Sequence, residues 1–286
     1  MAESPRRTVE RWLETTVRAH RTTISVTVPA IGALLLVASA EGWLPPSLAF
    51  QPTLVLLGTA VMRLPLIAGV LPLVDRRGAV AIVGLIGYAY LIEFVGVTTG
   101  WPYGDFAYRI ALGPMVGGVP AGLPIFFVPL VVNAYLLSVL LLGPRAERRA
   151  LRLPATLGLV LAIDVVLDPG AVALGFWTYG GGLLYGVPLS NYAGWLLSGT
   201  VATVVMDVAF SRASLRDRLE SAEFALDDVV SFVLLWGGVN AVYANWLAAA
   251  VALVLFAALL STDRFDVVLA DRVDVGHTWR WLRRGS

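Results

Sequence analysis

The chain has 286 residues, of which 58% are hydrophobic and only 14% are charged, with 21 basic residues against 20 acidic ones. So few charges leave too little polar surface to cover a soluble globule, and this composition is typical of a membrane protein. Because the basic residues are spread over several short segments at a net charge of +1, the sequence excludes an extended nucleic-acid-binding patch.

The apolar segments have the length of membrane spans. A spanning helix needs about 20 predominantly apolar residues, and such segments are predicted near 23–42, 52–74, 79–99, 120–142, 154–174 and 191–210. A further stretch at 229–260 is too long for one span, and its polar interruption at 240–245 predicts two short helices joined by a tight turn. The sequence therefore predicts an all-α, multi-pass bundle in the cell membrane with about eight transmembrane helices. Seven is the alternative.

The arginines test this count, because loops on the cytoplasmic side retain an excess of basic residues. With the N-terminus inside, every arginine except Arg63 and Arg109 falls on the cytoplasmic side. One helix instead of two at 229–260 would move the arginines of the C-terminal tail to the outer side. The bias therefore favours eight spans with both termini cytoplasmic.

The ends of the chain carry no sign of a separate domain. Residues 8–19 are predicted to form an amphipathic helix at the inner interface, and residues 279–284 a second surface anchor. Residues 38–40 have the small-residue pattern of a signal-peptide cleavage site, but the long acidic-containing segment before them favours an uncleaved first span. A single membrane domain is predicted over 1–286, consisting of a cytoplasmic interfacial segment (1–22), a transmembrane bundle (23–262) and a cytoplasmic tail (263–286).

Two outer segments repeat one pattern. The first runs from Trp101-Pro-Tyr-Gly104 to Gly118-Val-Pro120, and the second from Trp177-Thr-Tyr-Gly180 to Gly186-Val-Pro188. A carboxylate precedes each one. Both follow an odd-numbered span, so the third and fourth helices are predicted to repeat the fifth and sixth in parallel. Any single aromatic residue or Gly-Pro turn of the pattern also fits an ordinary membrane-interface belt.

Four ionisable side chains lie inside the predicted spans: Arg63, Glu93, Asp164 and Asp168. A charge at the bilayer centre costs about 2.5–3.5 kcal/mol on insertion scales and usually marks function. Asp164 and Asp168 are four residues apart and project from one helix face. Two carboxylates in apolar surroundings cannot both stay ionised cheaply, so one is expected to hold a proton and act as a general acid. The alternative is that Arg63 neutralises Glu93 or one aspartate.

Other polar residues have plainer interpretations. Asp207 is predicted to be solvated beside Arg212, while Asn133 and Asn191 are suited either to hold a water or to join two helices. The chain has no cysteine, and its two histidines lie outside the apolar segments, so no metal centre is expected. It contains neither a P-loop, a G-x-S-x-G string nor an H-E-x-x-H string, and nothing calls for a cofactor.

Ordered motifs between about 90 and 200 resemble the integral-membrane carotenoid hydratase family, which has haloarchaeal members. These motifs are Glu93-x-x-Gly-Val-Thr-Thr-Gly100, Pro102-Tyr-Gly-Asp-Phe-Ala-Tyr108, Leu112-Gly-Pro114, Gly118-Val-Pro120, Asp164-x-x-x-Asp-Pro169, Trp177-x-Tyr179, Tyr185-Gly-Val-Pro188 and Asn191-Tyr-x-Gly-Trp195. The flanking helices agree mainly in hydropathy. One departure is Pro129-Leu-Val-Val-Asn133, which lacks a tryptophan expected after the proline.

The resemblance implies hydration of the terminal carbon–carbon double bonds of an acyclic C50 carotenoid, from bisanhydrobacterioruberin to bacterioruberin. The partners would be this lipid-soluble substrate and membrane lipid. Asp164 or Asp168 would protonate the alkene, and Glu93 would deprotonate the attacking water with help from Asn191 or Asp105. Aromatic faces would stabilise the tertiary cation by about 0.5–2 kcal/mol each, and those expected to do so are Trp101, Tyr103, Trp177 and Tyr179. Further residues expected to contact the substrate are Tyr108, Tyr185, Arg63 and Asn133.

Two other functions fit part of the pattern. A proton-coupled transporter also uses repeats and intramembrane carboxylates, but it needs a polar path from side to side, and the inner half of the spans offers little beyond Asp207. Another isoprenoid enzyme such as a cyclase would share the acid and the aromatic residues but exclude water. Its product would be an isomer of the substrate and not an alcohol.

Overall fold

Helices follow the apolar segments of the sequence. The computed structural model describes residues 4–110 and 112–262. The helices are α1 (Pro5–Ala19), α2 (Val28–Ala40), α3 (Pro52–Val70), α4 (Arg76–Thr99), α5 (Pro124–Leu142), α6 (Arg149–Ala173), α7 (Leu189–Ala209), α8 (Arg212–Ser221), α9 (Asp227–Phe232), α10 (Gly238–Val242) and α11 (Trp246–Leu260). A π-helical turn at Thr23–Thr27 leads directly into α2, and a second one at Val233–Gly237 joins α9 to α10.

Seven helical segments of the described chain are long and apolar enough to cross a membrane. They are Thr23–Ala40, Pro52–Leu73, Arg76–Thr99, Pro124–Glu147, Arg149–Ala173, Leu189–Ala209 and Glu223–Val242. The polar interruption near residue 243 does end a helix, as predicted, and α11 follows it. With 15 residues, α11 is about 22 Å long, which is less than a hydrocarbon core of about 30 Å. The chain is a multi-pass membrane bundle. Its described part has seven segments of spanning length plus one shorter apolar helix, and 229–260 is divided as predicted, without the single helix on which the alternative count depends.

The arginine-bearing segments meet at one end of the bundle, here called the arginine end. Arg218 of α8 donates to the backbone oxygens of Ala68 and Gly69, both at 3.0 Å, near the C-terminus of α3. Arg18 of α1 donates to the Ser221 oxygen at 3.0 Å. The helix predicted at 8–19 is therefore present as α1, packed against this end. Its position at a cytoplasmic interface and the single-domain division remain predictions, and the proposed anchor at 279–284 and tail at 263–286 lie outside the described residues.

Two short sheets occupy the opposite end, the sheet end. Strands β1 (Phe106–Tyr108) and β4 (Trp177–Tyr179) pair antiparallel, with Ala107 opposite Thr178 at the centre. Strands β2 (Met115–Val116) and β3 (Val119–Pro120) form a separate hairpin. The two segments that share a sequence pattern therefore meet in one sheet.

The register of that sheet differs from the alignment that the sequence suggests. The repeated W-x-Y-G words match Trp101 with Trp177, but the strand pairing places Tyr108 opposite Trp177 and Phe106 opposite Tyr179. Trp101 lies in the turn after α4, before β1 begins.

Helix α5 forms the centre of the bundle. Its side chains are buried almost continuously from Phe127 to Val139, and it contacts α3, α4, α6, α7 and α8. Helices α4 and α6 both run toward the sheet end and flank α5. This arrangement brings their last turns under the β1–β4 sheet, where the polar residues of the spans collect.

Candidate active site

A cavity with an empty volume of about 1030 Å³ lies below the β1–β4 sheet, between α3, α4, α5, α6 and α7. Most of its wall is aliphatic or aromatic. Eight of the residues singled out from the sequence line it: Arg63, Glu93, Tyr103, Tyr108, Asp168, Trp177, Tyr179 and Asn191. The sequence therefore identified most of the polar groups that this cavity contains.

Glu93 forms the first of two carboxylate–tyrosine pairs. It lies on the last turns of α4, and the Tyr108 hydroxyl of β1 donates a hydrogen bond to Glu93 Oε1. No arginine forms an ion pair with Glu93 in the part of the chain that the structure describes. The pair is therefore a polar site in a largely apolar cavity wall.

Asp168 of α6 forms the second pair. Tyr179 Oη donates to Asp168 Oδ2 at 2.9 Å, and Asn191 Nδ2 donates to the same oxygen at 2.5 Å. Asn191 also donates to Asp164 Oδ2 at 2.9 Å and accepts from Tyr179 at 3.1 Å. One asparagine at the start of α7 thus ties both aspartates and the tyrosine into a single network.

The two aspartates have different positions relative to the cavity. Asp168 lines it, whereas Asp164, one turn earlier, is fully buried behind it. Asp164 Oδ1 has no hydrogen-bond partner among the described residues. Asp168 is therefore the aspartate placed to touch a bound molecule, and Asp164 lies behind it.

The tyrosines of the two pairs remain neutral hydroxyl groups. Burial, and next the nearby Glu93 carboxylate, raises the pKa of Tyr108 well above its ordinary value. Burial, and next Asp168, raises the pKa of Tyr179 in the same direction. Both tyrosines can donate a hydrogen bond to a carboxylate but cannot act as bases near neutral pH.

Aromatic rings surround the carboxylates. Trp195 of α7 stacks on Phe127 of α5 with ring centroids 5.2 Å apart and planes inclined by 27°. Tyr108 and Trp177 meet edge to face at 6.2 Å across the sheet. The Trp177 indole nitrogen is buried without a hydrogen-bond partner in the described chain. The cavity thus has π faces on several sides and a spare donor near the sheet.

Arg63 has a partner that the sequence analysis did not consider. Arg63 Nη1 lies 2.5 Å from Asp228 Oδ1, and Asn133 Nδ2 donates to Asp228 Oδ2 at 2.6 Å. The alternative that Arg63 neutralises Glu93 or one of the α6 aspartates is therefore wrong. Arg63 lines the main cavity, while Asn133 lies in a smaller adjoining pocket that Arg63 also lines.

Three sequence-predicted residues lie away from the cavity. Trp101 is 58% exposed, and Asp105 is also exposed, because both precede the strand that turns inward. Tyr185 is 37% exposed, and its hydroxyl accepts a hydrogen bond from the Leu247 backbone at 3.1 Å. None of the three is placed to contact a molecule in the cavity, contrary to their predicted roles.

Asp207 is buried, which contradicts its predicted solvation beside Arg212. It forms a two-pronged ion pair with buried Arg152, at 2.8 Å and 2.6 Å, and accepts from Tyr135 at 2.6 Å. The contact with Arg212 involves only the Asp207 backbone oxygen. Arg152 lies in the first turn of α6 and is buried in the bundle, whereas Arg145, Arg148 and Arg149 of the same predicted cytoplasmic segment are exposed.

Asp228 and several wall residues were not predicted from the sequence. Asp228 lies one residue before Val229, where the last apolar segment begins. A signal was present, because a lone arginine in the middle of a span requires a counter-charge. Trp195 was noted only as part of a motif, and Phe127 and Trp236 were not singled out, since nothing in hydropathy separates a cavity wall from ordinary packing.

Comparison with known proteins agrees with the geometry. The sequence model of a family described as "Carotenoid biosynthesis protein" matches residues 50–259. The chain is 58% identical over 265 residues to a bisanhydrobacterioruberin hydratase from Haloarcula japonica, which covers 92% of this chain and 90% of that protein. No solved structure matches the chain.

Proposed function

This chain belongs to the carotenoid biosynthesis protein family, and on that premise we propose that it is a carotenoid hydratase. The substrate is an acyclic C50 carotenoid, and the reaction adds water to its terminal double bonds, converting bisanhydrobacterioruberin to bacterioruberin. One observation supports this most directly. Asp168 and Glu93 both line one largely apolar, aromatic-walled cavity, each held by a neutral tyrosine.

Asp168 is the proton donor in this proposal. Two ionised carboxylates, Asp164 and Asp168, held by one asparagine in apolar surroundings would be costly, so one of them carries a proton. Asp168 lines the cavity, and its proton passes to the less substituted carbon of the terminal alkene. The electron pair of the double bond forms the new C–H bond, leaving a tertiary carbocation at the other carbon.

The carbocation is stabilised by the aromatic wall. Ring faces attract a positive charge within about 6 Å, by about 0.5–2 kcal/mol for each ring. Trp177, Trp195 and Trp236 all line the cavity, and tryptophan is the strongest of these partners. The apolar wall also restricts water, so that the cation meets the positioned nucleophile and not bulk solvent.

Glu93 is the base that activates the water. The oxygen of one water forms the C–O bond, and the proton it loses passes to the Glu93 carboxylate. Tyr108 holds Glu93 in place by its hydrogen bond. Transfer of a proton from Glu93 back to Asp168 resets the site, so the cycle consumes only alkene and water.

Product analysis tests this proposal. The chain is expressed in a host that accumulates bisanhydrobacterioruberin, and carotenoids are examined by mass spectrometry. We expect products heavier by one water for each hydrated end. In heavy water, each hydrated end should also carry one non-exchangeable deuterium on the carbon beside the new alcohol. An isomeric product without added water would indicate a cyclase, and unchanged substrate would reject the hydratase.

A further inference from the structure

A second cavity, with an empty volume of about 750 Å³, lies between α2 and α3. Five residues line both this cavity and the candidate active site: Leu36, Val55, Thr59, Met62 and Leu235. The shared side chains place the second cavity directly beside the first, between the carboxylates and the gap that separates the two helices.

The gap opens on the outer surface of the bundle. Leu35 is 46% exposed and Leu54 is 53% exposed, and both line the second cavity. Gly58 of α3 lines the second cavity beside open space, because a Cβ atom added there would meet nothing within 4 Å. At this depth in a multi-pass bundle, exposed leucines face lipid, so the opening leads into the bilayer.

The polar side chains along this route form hydrogen bonds to the backbone. Thr59 Oγ1 donates to the Val55 oxygen at 2.8 Å, and Ser39 Oγ donates to the Leu35 oxygen at 2.7 Å. Gln51 Oε1 accepts from the Leu54 backbone nitrogen at 3.1 Å and caps α3. Ser39 Oγ also accepts from the Phe50 backbone nitrogen at 3.2 Å. The other residues of the wall are apolar or glycine, so the route suits a long apolar chain.

We propose that the space between α2 and α3 is a lateral channel that holds the polyene body of the substrate while one end lies between Asp168 and Glu93. This inference rests on the proposed function for the identity of the ligand. A polyene long enough to cross a bilayer of about 30 Å extends beyond the first cavity. The channel holds the part of the polyene next to the reacting end, and the length beyond the opening stays in the surrounding lipid.

Filling the channel tests the inference. Gly58→Phe places a ring in the channel, and Gly84→Phe is the matched control, because Gly84 is an exposed glycine of α4 with nothing within 4 Å of an added Cβ and lines neither cavity. Each variant is purified from a carotenoid-accumulating host. Bound carotenoid is measured by its absorption, bound phospholipid by phosphate analysis, and hydration by mass spectrometry.

We expect Gly58→Phe to lower both bound carotenoid and hydration by about tenfold or more relative to Gly84→Phe, since even a small misfit in an apolar pocket has effects of this size. Gly58→Leu, which adds less volume, should show a smaller loss and serves if Gly58→Phe does not fold. Carotenoid binding and hydration equal in the Gly58 and Gly84 variants would overturn the channel. Loss of phospholipid with unchanged carotenoid would also overturn it, because the occupant would then be a lipid chain.

The two proposals fail in different ways. If the wild-type protein binds carotenoid without hydrating it, the hydratase is rejected, and the binding measurements alone decide on the channel. If Asp168→Asn abolishes hydration but retains bound carotenoid, while Gly58→Phe loses both, both proposals are supported. The first cavity then performs the chemistry and the second binds the polyene chain.

Discussion

Ala107 stands opposite Thr178 at the centre of the β1–β4 sheet, and this pairing relates two carboxylate–tyrosine units. On one side Tyr108 holds Glu93, and on the other Tyr179 holds Asp168. The units are not chemically equal. Asp168 shares Asn191 with a second aspartate, whereas Glu93 has only its tyrosine as a side-chain partner in the described chain. This difference in partners suits the proposed roles of Asp168 as the acid and Glu93 as the base.

The first prediction concerns the two carboxylates. Asp168→Asn and Glu93→Gln keep shape but remove proton transfer, so hydration should fall by about 10²–10⁴-fold in each. Asp217→Asn is the control, since Asp217 is an exposed carboxylate on α8 at the opposite end of the bundle. Hydration is measured as alcohol formed per amount of purified protein. Full turnover by either site variant would remove that residue from the mechanism.

The second prediction concerns the tyrosine hydroxyls. Tyr108→Phe and Tyr179→Phe each remove one hydrogen bond to a carboxylate, which is worth about 1.5–3 kcal/mol. Hydration should therefore fall by about 10–100-fold, less than in the carboxylate variants. Tyr243→Phe is a matched control, because Tyr243 donates to the exposed Glu41 at 2.8 Å, outside the cavity. Equal rates in all three variants would mean that the tyrosines do not position the reacting groups.

The third prediction concerns the ion pair below the cavity. Arg63 and Asp228 are both buried, and removing one partner leaves an unpaired buried charge at a cost of about 3–5 kcal/mol. Arg63→Met and Asp228→Leu should each lower the free energy of unfolding by that order. The double variant should be less destabilised than either single one, because no unpaired charge remains. Denaturant unfolding in detergent measures this, and strictly additive losses would show that the two side chains do not act as a pair.

The membrane bundle and most polar residues of the cavity could be predicted from the sequence, because both leave a mark in hydropathy. Span positions follow from the length of apolar runs, and a carboxylate inside such a run is costly enough to be conspicuous. Glu93, Asp164 and Asp168 were found in this way. Asn191, Tyr108 and Tyr179 came from motifs beside them.

The features that could not be predicted from the sequence depend on tertiary contacts. Hydropathy alone assigns Arg152 to a cytoplasmic segment, because this arginine precedes the apolar run of α6. Its ion pair with Asp207 instead holds it inside the bundle. The partner of Arg63 comes from a helix distant in sequence. The pairing of Tyr108 with Trp177 depends on strand register, which repeated letters alone do not define.

The fourth prediction concerns the close approach of α7 to the segment before β1. A Cβ atom on Gly194 would lie 2.4 Å from Tyr103 Cδ1 and 3.2 Å from the Pro102 carbonyl carbon. Gly194→Ala should therefore displace Tyr103 from the cavity wall and lower the free energy of unfolding by about 1–3 kcal/mol, as overpacking does.

A second helical glycine supplies the comparison for this test. Gly158→Ala on α6 meets nothing within 4 Å and should be neutral or stabilising by up to about 1 kcal/mol, because alanine favours a helix. Thermal unfolding in detergent separates the two substitutions. A stable Gly194→Ala protein with normal hydration would show that Tyr103 can move without consequence for the site.

The last prediction concerns the side of the membrane on which the site lies. Arginines concentrate at one end of the bundle, and the excess of basic residues on cytoplasmic loops predicts that this end is inside and the β1–β4 sheet outside. The chain has no cysteine, so single cysteines can report this. Ala107→Cys, exposed on β1, should react with a membrane-impermeant maleimide in intact cells. Ala213→Cys, exposed on α8, should react only after the cells are permeabilised. The reverse pattern would place the carboxylates in the cytoplasmic half of the bilayer, and the reacting water and protons would then come from the cytoplasm.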